Sequence, residues 1–231
     1  MTPEPRTASL GRADALFIAV ACGVVPLVSL VMAVRAFEAI AHANLTAYLA
    51  SIVKWTALGG GALALGRRGG MSWAELYLDP RGSFIVRRPA STCVVVILFI
   101  AVVNFGVLPR FTAAWEALGL SCARASYLAM PVSVLGRALG VVCALAAAAG
   151  SEILYRGYLR VVAERVFRAW WTAAIVVSAV FGWAHGFYGW CGALYTGLNG
   201  LAFALLAHAT GSLYVVILAH MCFDALVFAA G

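Results

Sequence analysis

Residues 132–159 read VSVLGRALGVVCALAAAAGSEILYRGYL. The run is longer than the about 20 residues that carry a helix across a bilayer, and Arg137, Glu152 and Arg156 are its only charged members. Six further apolar runs lie around it, roughly at 14–35, 45–66, 90–109, 170–186, 193–209 and 213–229. The last three are short enough to be tilted or partly re-entrant. Pro26 is placed to kink the first run, and Gly59, Gly60 and Gly61 allow close approach or a break in the second.

The composition agrees. Of 231 residues, 64% are hydrophobic and 11% charged, and the mean hydropathy is +0.97. A soluble domain has about a quarter of its residues charged, so this chain has too little polar surface to coat a water-soluble globule. A disordered chain and a disulfide scaffold are also excluded. The expected fold is all-α: a polytopic transmembrane helical bundle of about seven spans in one integral domain.

The net charge of +7 comes from sixteen basic residues, of which Lys54 is the single lysine. They are spread between apolar runs, which marks them as topology signals and argues against a nucleic-acid partner. With the 67–89 loop in the cytoplasm, the inner side holds Arg6, Arg12, Arg67, Arg68, Arg81, Arg87, Arg88, Arg160, Arg165 and Arg168; the outer side holds Arg35, Arg110 and Arg124. Ten against three puts the N-terminus in the cytoplasm. The first span reads as a retained anchor and not a cleaved signal. Arginine in place of lysine, with abundant Ala, Val and Gly, points to a GC-rich bacterium and its inner membrane.

Met71 to Leu78 is expected as a short amphipathic helix on the interface, with Trp73 and Tyr77 at headgroup level. Trp170 and Trp171 beside Arg168 fit a second interfacial anchor. Six cysteines occur without a CxxC pair. Four lie in apolar runs and read as small core residues; Cys122 and Cys191 fall in loops on one side, where a disulfide between them is the alternative and free thiols are the expectation.

Polar groups at membrane depth are expensive and so are functional candidates. Glu152 and Arg156 stand at i and i+4, on one helix face. Phe181-Gly-Trp-Ala-His185 follows on the next run, and His220-Met-Cys-Phe-Asp224 repeats the i, i+4 spacing on the last. The basic stretch ending at Arg168 reads as the turn of a helical hairpin. Glu152 precedes it by 16 residues and His185 follows it by 17, so each lies about 25 Å along its helix from the turn and the two are level. A carboxylate and an imidazole at one level can share a water as general base. A neutral His220 can donate to a developing oxyanion, with Asp224 fixing its tautomer. Each group also has a structural reading, as an ion pair or packing hydrogen bond. Asn104, Asn199 and His208 are expected to be such packing groups.

These three groups resemble the CPBP family (CAAX proteases and bacteriocin-processing enzymes, also called Abi), which includes glutamic-type intramembrane proteases that trim prenylated CAAX proteins. The family pattern Glu-Glu-x-x-x-Arg, Phe-x-x-x-His, His-x-x-x-Asn/Asp appears here as Ser151-Glu152-x-x-x-Arg156, Phe181-x-x-x-His185 and His220-x-x-x-Asp224. Thr210-Gly-Ser-Leu213 is also similar to the family. The resemblance covers about 130–231, the protease-like core; 1–129 are read as N-terminal spans and the loop helix. It implies cleavage of a peptide bond near the C-terminus of a membrane-anchored or lipidated protein. Glu152, His185, His220 and Asp224 are the implied catalytic residues, supported by Ser151, Arg156 and Phe181, without cofactor or metal. The myxosortase branch, whose members process C-terminal sorting tails, is similar in length and composition.

One position departs from the pattern: Ser151 stands where the family has its usual water-activating Glu. Either Glu152 has taken over as base, or the chain is a binding or chaperone-like pseudoprotease, or Ser151 is an altered residue in an otherwise active scaffold. Serine chemistry is disfavoured, because adjacent helix positions diverge by about 100° and Ser151 and Glu152 cannot both face His185. A zinc site on Glu152, His185 and His220 lacks a His-Glu-x-x-His motif and has Arg156 beside it. Transport would call for inverted repeats, and none is found.

Overall fold

A computed structural model describes residues 11–29, 45–80, 84–120 and 134–230. Arg6, Arg35, Arg81, Cys122, Arg124 and the side chain of Asn104 lie outside what is described, with the expectations that rest on them. Among the described residues seven long helices carry the architecture: α1 Arg12–Ser29, α2 Leu45–Arg68, α3 Pro89–Ala117, α4 Val134–Phe167, α5 Trp170–Trp183, α6 Gly189–Thr210 and α7 Leu213–Ala230. Five of them (α1, α2, α3, α4 and α6) are long and apolar enough to cross a membrane. The shorter α5 and α7 are equally apolar. No strand occurs among the described residues. Large apolar side chains such as Ile97, Phe105, Val134 and Trp171 are exposed, as suits a lipid-facing surface.

Small residues set the packing. A Cβ on Gly59 would lie 2.8 Å from Gly150 Cα, and one on Gly150 would strike the Trp55 carbonyl. The α2 and α4 backbones are therefore in direct contact, the close approach that glycine permits between membrane helices. α2 runs unbroken through its three glycines. Gly182 gives α5 the same intimacy with Ala193 and Gly197 of α6. α1 docks on α4 through Phe17 and Tyr158, whose rings meet edge to face, and Tyr158 Oη donates to Asp14 at 2.5 Å.

Among the described residues three helices widen into π turns. Two of these, Val20–Val24 in α1 and Ala101–Val107 in α3, end just ahead of Pro26 and Pro109. A proline cannot donate to the carbonyl four residues back and crowds it, and a wider turn relieves both faults. The third, Ile153–Leu159 in α4, has no proline near it.

Three expectations are corrected. Residues 71–78 do not form an interfacial helix. A single turn is closed by reciprocal Ser72 and Glu75 bonds, 2.6 Å from the Ser72 amide to Glu75 and 3.1 Å from the Glu75 amide to Ser72 Oγ. Met71, Leu76 and Leu78 then plug into the core. Leu76 is 1% exposed, so burial of three apolar groups outweighs regular helix. Tyr77 takes a positive φ of 57° to allow it. Leu213 N donates to Tyr77 O at 2.8 Å and Tyr214 Oη to Leu78 O at 3.1 Å, strapping the plug to α7. The fifth span ends at Trp183, so His185 stands on the turn beyond α5. Finally, Cys191 is disulfide-bonded, whereas Cys22, Cys93, Cys143 and Cys222 are free.

Candidate functional site

The hairpin turn falls where the basic stretch places it. α4 ends at Phe167, Arg168 adopts the left-handed conformation at φ 55°, and α5 starts at Trp170. Trp171 is exposed beside it, while Trp170 stacks on His208, 4.1 Å between ring centroids. His208 also meets Tyr77 Oη at 3.3 Å and belongs to this end of the bundle, away from the central polar cluster.

Level packing of α4 and α5 then brings the polar residues together. Tyr155 meets Phe181 edge to face at 5.0 Å. The Arg156 guanidinium lies 4.3 Å over the Phe181 ring and 5.8 Å from Phe203 of α6. It fits because position 200 is glycine: a Cβ there would come within 2.7 Å of Arg156 Nη2. The cation is thus held between aromatic faces, a placement that suits a planar guanidinium.

Glu152 is fully buried. Its Oε1 accepts from Arg156 Nη1 at 3.2 Å and from His220 Nδ1 at 2.8 Å. Its Oε2 is buried and has no hydrogen-bond partner among the described residues; the same holds for Arg156 Nε and Nη2 and Asn199 Oδ1. One oxygen of the carboxylate is saturated and the other is left with lone pairs in a sealed interior. His220 Nε2 lies 3.8 Å from Asp224 Oδ1, so carboxylates face both ring nitrogens. The His220 ring stacks on Phe203 at 4.8 Å.

His185 reaches the cluster through Phe181. Their ring centroids are 4.6 Å apart, and Phe181 in turn meets His220 at 6.4 Å. His185 Nδ1 is 2.8 Å from the Phe181 carbonyl. A carbonyl only accepts, so the neutral ring carries its proton on Nδ1 and the lone pair on Nε2. Phe181 is the hub: Arg156, His185 and His220 all contact its ring. Ser151 is buried but turned away, its Oγ donating to Ala148 O within α4 at 3.3 Å.

The third π turn begins at the residue after Glu152. Within it the Arg156 carbonyl accepts from Arg160 Nε at 2.8 Å; Arg160 also donates to Glu164 at 2.8 Å and to the Glu75 carbonyl of the plug. This turn has side-chain partners where the other two have a proline, and single π turns are frequent at functional sites. Neither the turn nor the role of Gly200 has a sequence signal of its own. Among the described residues no group of three His, Cys, Asp or Glu has metal-holding geometry.

Among the described residues outside the membrane, Glu75 is the group whose titration is clearly perturbed. Burial pushes its carboxyl up, but the Ser72 amide, the Ser72 hydroxyl and Arg165 at 3.3 Å outweigh this and hold it below the ordinary range.

Residues 133–226, somewhat under half of the chain, match the family described as Rce1-like, type II CAAX prenyl endopeptidase. This stretch is therefore similar to CAAX-type intramembrane proteases, and it contains α4 to α7 with the whole polar cluster. No curated protein and no solved structure matches the chain.

Proposed function

We propose that this chain is an intramembrane endopeptidase that cleaves near the C-terminus of a membrane-anchored or lipidated protein, with water as the nucleophile. The observation that carries the proposal is the Glu152 carboxylate, with Oε1 held by Arg156 and His220 and buried Oε2 without a partner among the described residues. A carboxylate so held has one free oxygen fixed in position to take a proton from water once the closed interior opens to admit it. His185, with its lone pair on Nε2, is the second acceptor. His220 in its protonated form, with Nδ1–H on Glu152, would donate Nε2–H to the oxyanion that develops on the scissile carbonyl, and Asp224 would hold the ring in place. Arg156 orients Glu152 without touching substrate, and Phe181 spaces the two histidines. A myxosortase-like processor of sorting tails, in a bacterial inner membrane with the N-terminus inside, is the finer form of this reading. The 130–231 stretch is its protease core and 1–129 its supporting spans.

A second reading has its own observation. Ser151 occupies the place of the family's first Glu, and its hydroxyl is bound within its own helix. If that position must hold a carboxylate, the chain is a catalytically impaired binding protein on the same scaffold.

Cleavage of tail substrates in reconstituted membranes separates the two. Activity in the unchanged chain that falls at least about 10³-fold in Glu152→Gln and about 10²-fold or more in His185→Ala supports the first, from the usual worth of a general base. Activity that appears only in Ser151→Glu establishes the second. Full activity in Glu152→Gln sinks the assignment of the base.

A further inference from the structure

The single lysine of the chain lies inside the membrane-spanning part of α2, away from the cluster just described. Lys54 is 13 residues from Arg67, and Glu152 is 13 residues from Arg165. Arg67 and Arg165 both bind the 71–78 plug, Arg67 through the Met71 carbonyl at 2.5 Å and Arg165 through Glu75 at 3.3 Å. Counted from that common floor, Lys54 and Glu152 both lie about 20 Å into the bundle. The α2–α4 contact confirms the level, because the Trp55 carbonyl abuts Gly150, two residues before Glu152.

Lys54 is half-buried, with Nζ 4.7 Å from the Trp55 ring centroid. Among the described residues no carboxylate pairs with it. An ammonium at membrane depth is costly and normally has a partner or a role. It lines a narrow crevice, with a cavity volume of about 10 Å³, between α1, α2 and α4, together with Pro26, Ser29, Trp55, Tyr155 and Ala184. Ala184 precedes His185 and Tyr155 precedes Arg156, so the crevice adjoins the segments that carry the polar cluster. It has room for about one water, so what meets Lys54 there is a single small group and not a whole ligand.

We infer that Lys54 binds the terminal carboxylate of the tail being cleaved. The inference rests on the endopeptidase reading and gives it a rule for which end of the substrate is held. Packed helices stand at most about 8–10 Å apart, and the glycine contact brings α2 and α4 closer than that, a distance that about two or three extended residues span. A scissile bond at Glu152 on α4 and a carboxylate at Lys54 on α2 are thus joined by a tail of that length. The cation supplies the charge that an apolar tail otherwise lacks a partner for, and it excludes internal segments of a chain, which have no carboxylate to offer.

The test is binding, which does not depend on turnover. A fluorescent farnesylated peptide ending in Cys-Val-Ile-Met is prepared as the free acid and as the C-terminal amide. Each is titrated by anisotropy against the chain, and against Glu152→Gln, in phosphatidylcholine nanodiscs. The acid is expected to bind at least about tenfold tighter than the amide, the lower end for a close charge pair. Lys54→Met should weaken the acid to the level of the amide and leave the amide unchanged; Lys54→Arg should keep the preference. Equal binding of acid and amide to the unchanged chain overturns the inference without any variant. So does a preference that survives in Lys54→Met, or a loss that strikes acid and amide alike. A preference that vanishes when phosphatidylglycerol replaces phosphatidylcholine assigns Lys54 to lipid phosphate and also overturns it. If the peptide binds as expected but is never cut, the carboxylate site stands and the endopeptidase reading falls.

Discussion

Replacing Arg156 with methionine removes the only cation paired with Glu152 among the described residues while keeping much of the side-chain volume. Both partners are fully buried, at 1% and 0% exposure, with Nη1 to Oε1 at 3.2 Å. Breaking a buried pair by removing one member costs about 3–5 kcal/mol, because the other charge is left uncompensated. Here His220 Nδ1 stays 2.8 Å from the same oxygen. The loss of the guanidinium over Phe181 is offset by methionine's own sulfur–aromatic contact, worth about 0.3–1.5 kcal/mol. The expected cost is therefore at the low end, about 3 kcal/mol. Arg156→Lys keeps the charge but forfeits the planar stacking, and about 1 kcal/mol is expected. Glu152→Gln with Arg156→Met should be more stable than the sum of the singles by at least about 1 kcal/mol, since the pair is coupled through direct contact. The assay is reversible unfolding in mixed micelles by titration with sodium dodecyl sulfate, followed by circular dichroism. A cost within about 0.5 kcal/mol of zero for Arg156→Met, typical of a plain surface position, would refute the reasoning. Strict additivity in the double variant would do the same.

The glycine contacts make a matched pair of tests. Gly150→Ala should destabilise by about 1–3 kcal/mol, as overpacking does, whereas Gly60→Ala, with nothing within 4 Å of its new Cβ, should be neutral or stabilising by up to about 1 kcal/mol; equal melting temperatures for the two would remove the α2–α4 argument. Glu75 predicts an acid limb. Its carboxyl is held low in the folded chain, so its contribution is complete above the unfolded value near about 4.3 and is lost as pH falls through the folded one. Glu75→Gln should flatten the fall in melting temperature between about pH 5 and 3, and an unchanged profile would show the Ser72 and Arg165 contacts to be without effect. Since Arg156 shares Glu152 Oε1, a bound dication is not expected there: cleavage should survive 1,10-phenanthroline, and stoichiometric zinc in purified active protein would reverse that expectation.

Much of this was legible in the residues. Long apolar runs carry their own length, so the helical bundle and the hairpin turn at Arg168 follow from counting. The i, i+4 spacing of Glu152 with Arg156 and of His220 with Asp224 is a property of any helix, and the near-equal distances of Glu152 and His185 from the turn, 16 and 17 residues, place both toward the same end of the hairpin. Contacts made across the bundle were not legible. Leu76 and Leu78 have the spacing of an interfacial helix as much as of a plug, and only the space beneath α7 decides between them. The direct bond from Glu152 to His220 depends on how α7 docks, which no local pattern encodes. The same is true of Gly200, whose missing Cβ makes room for a guanidinium on another helix. His185 was displaced for a local reason: α5 stops at Trp183, and the histidine follows on the turn.

The plug has a consequence for how the chain is made. Apart from Arg67 on Met71, its anchors come from far downstream: Arg160 on Glu75, Leu213 on Tyr77 and Tyr214 on Leu78, at separations of 85, 136 and 136 residues. A segment synthesised between the second and third helices must therefore wait at the aqueous boundary until the seventh has been inserted. Until then its apolar residues stay accessible, and the backbone around Tyr77 has no reason to hold its left-handed turn. The 71–78 segment thus acts as a latch that closes last. Its protection from an added protease marks the moment at which biogenesis is complete, and a ribosome-stalled chain lacking α7 should be cut there.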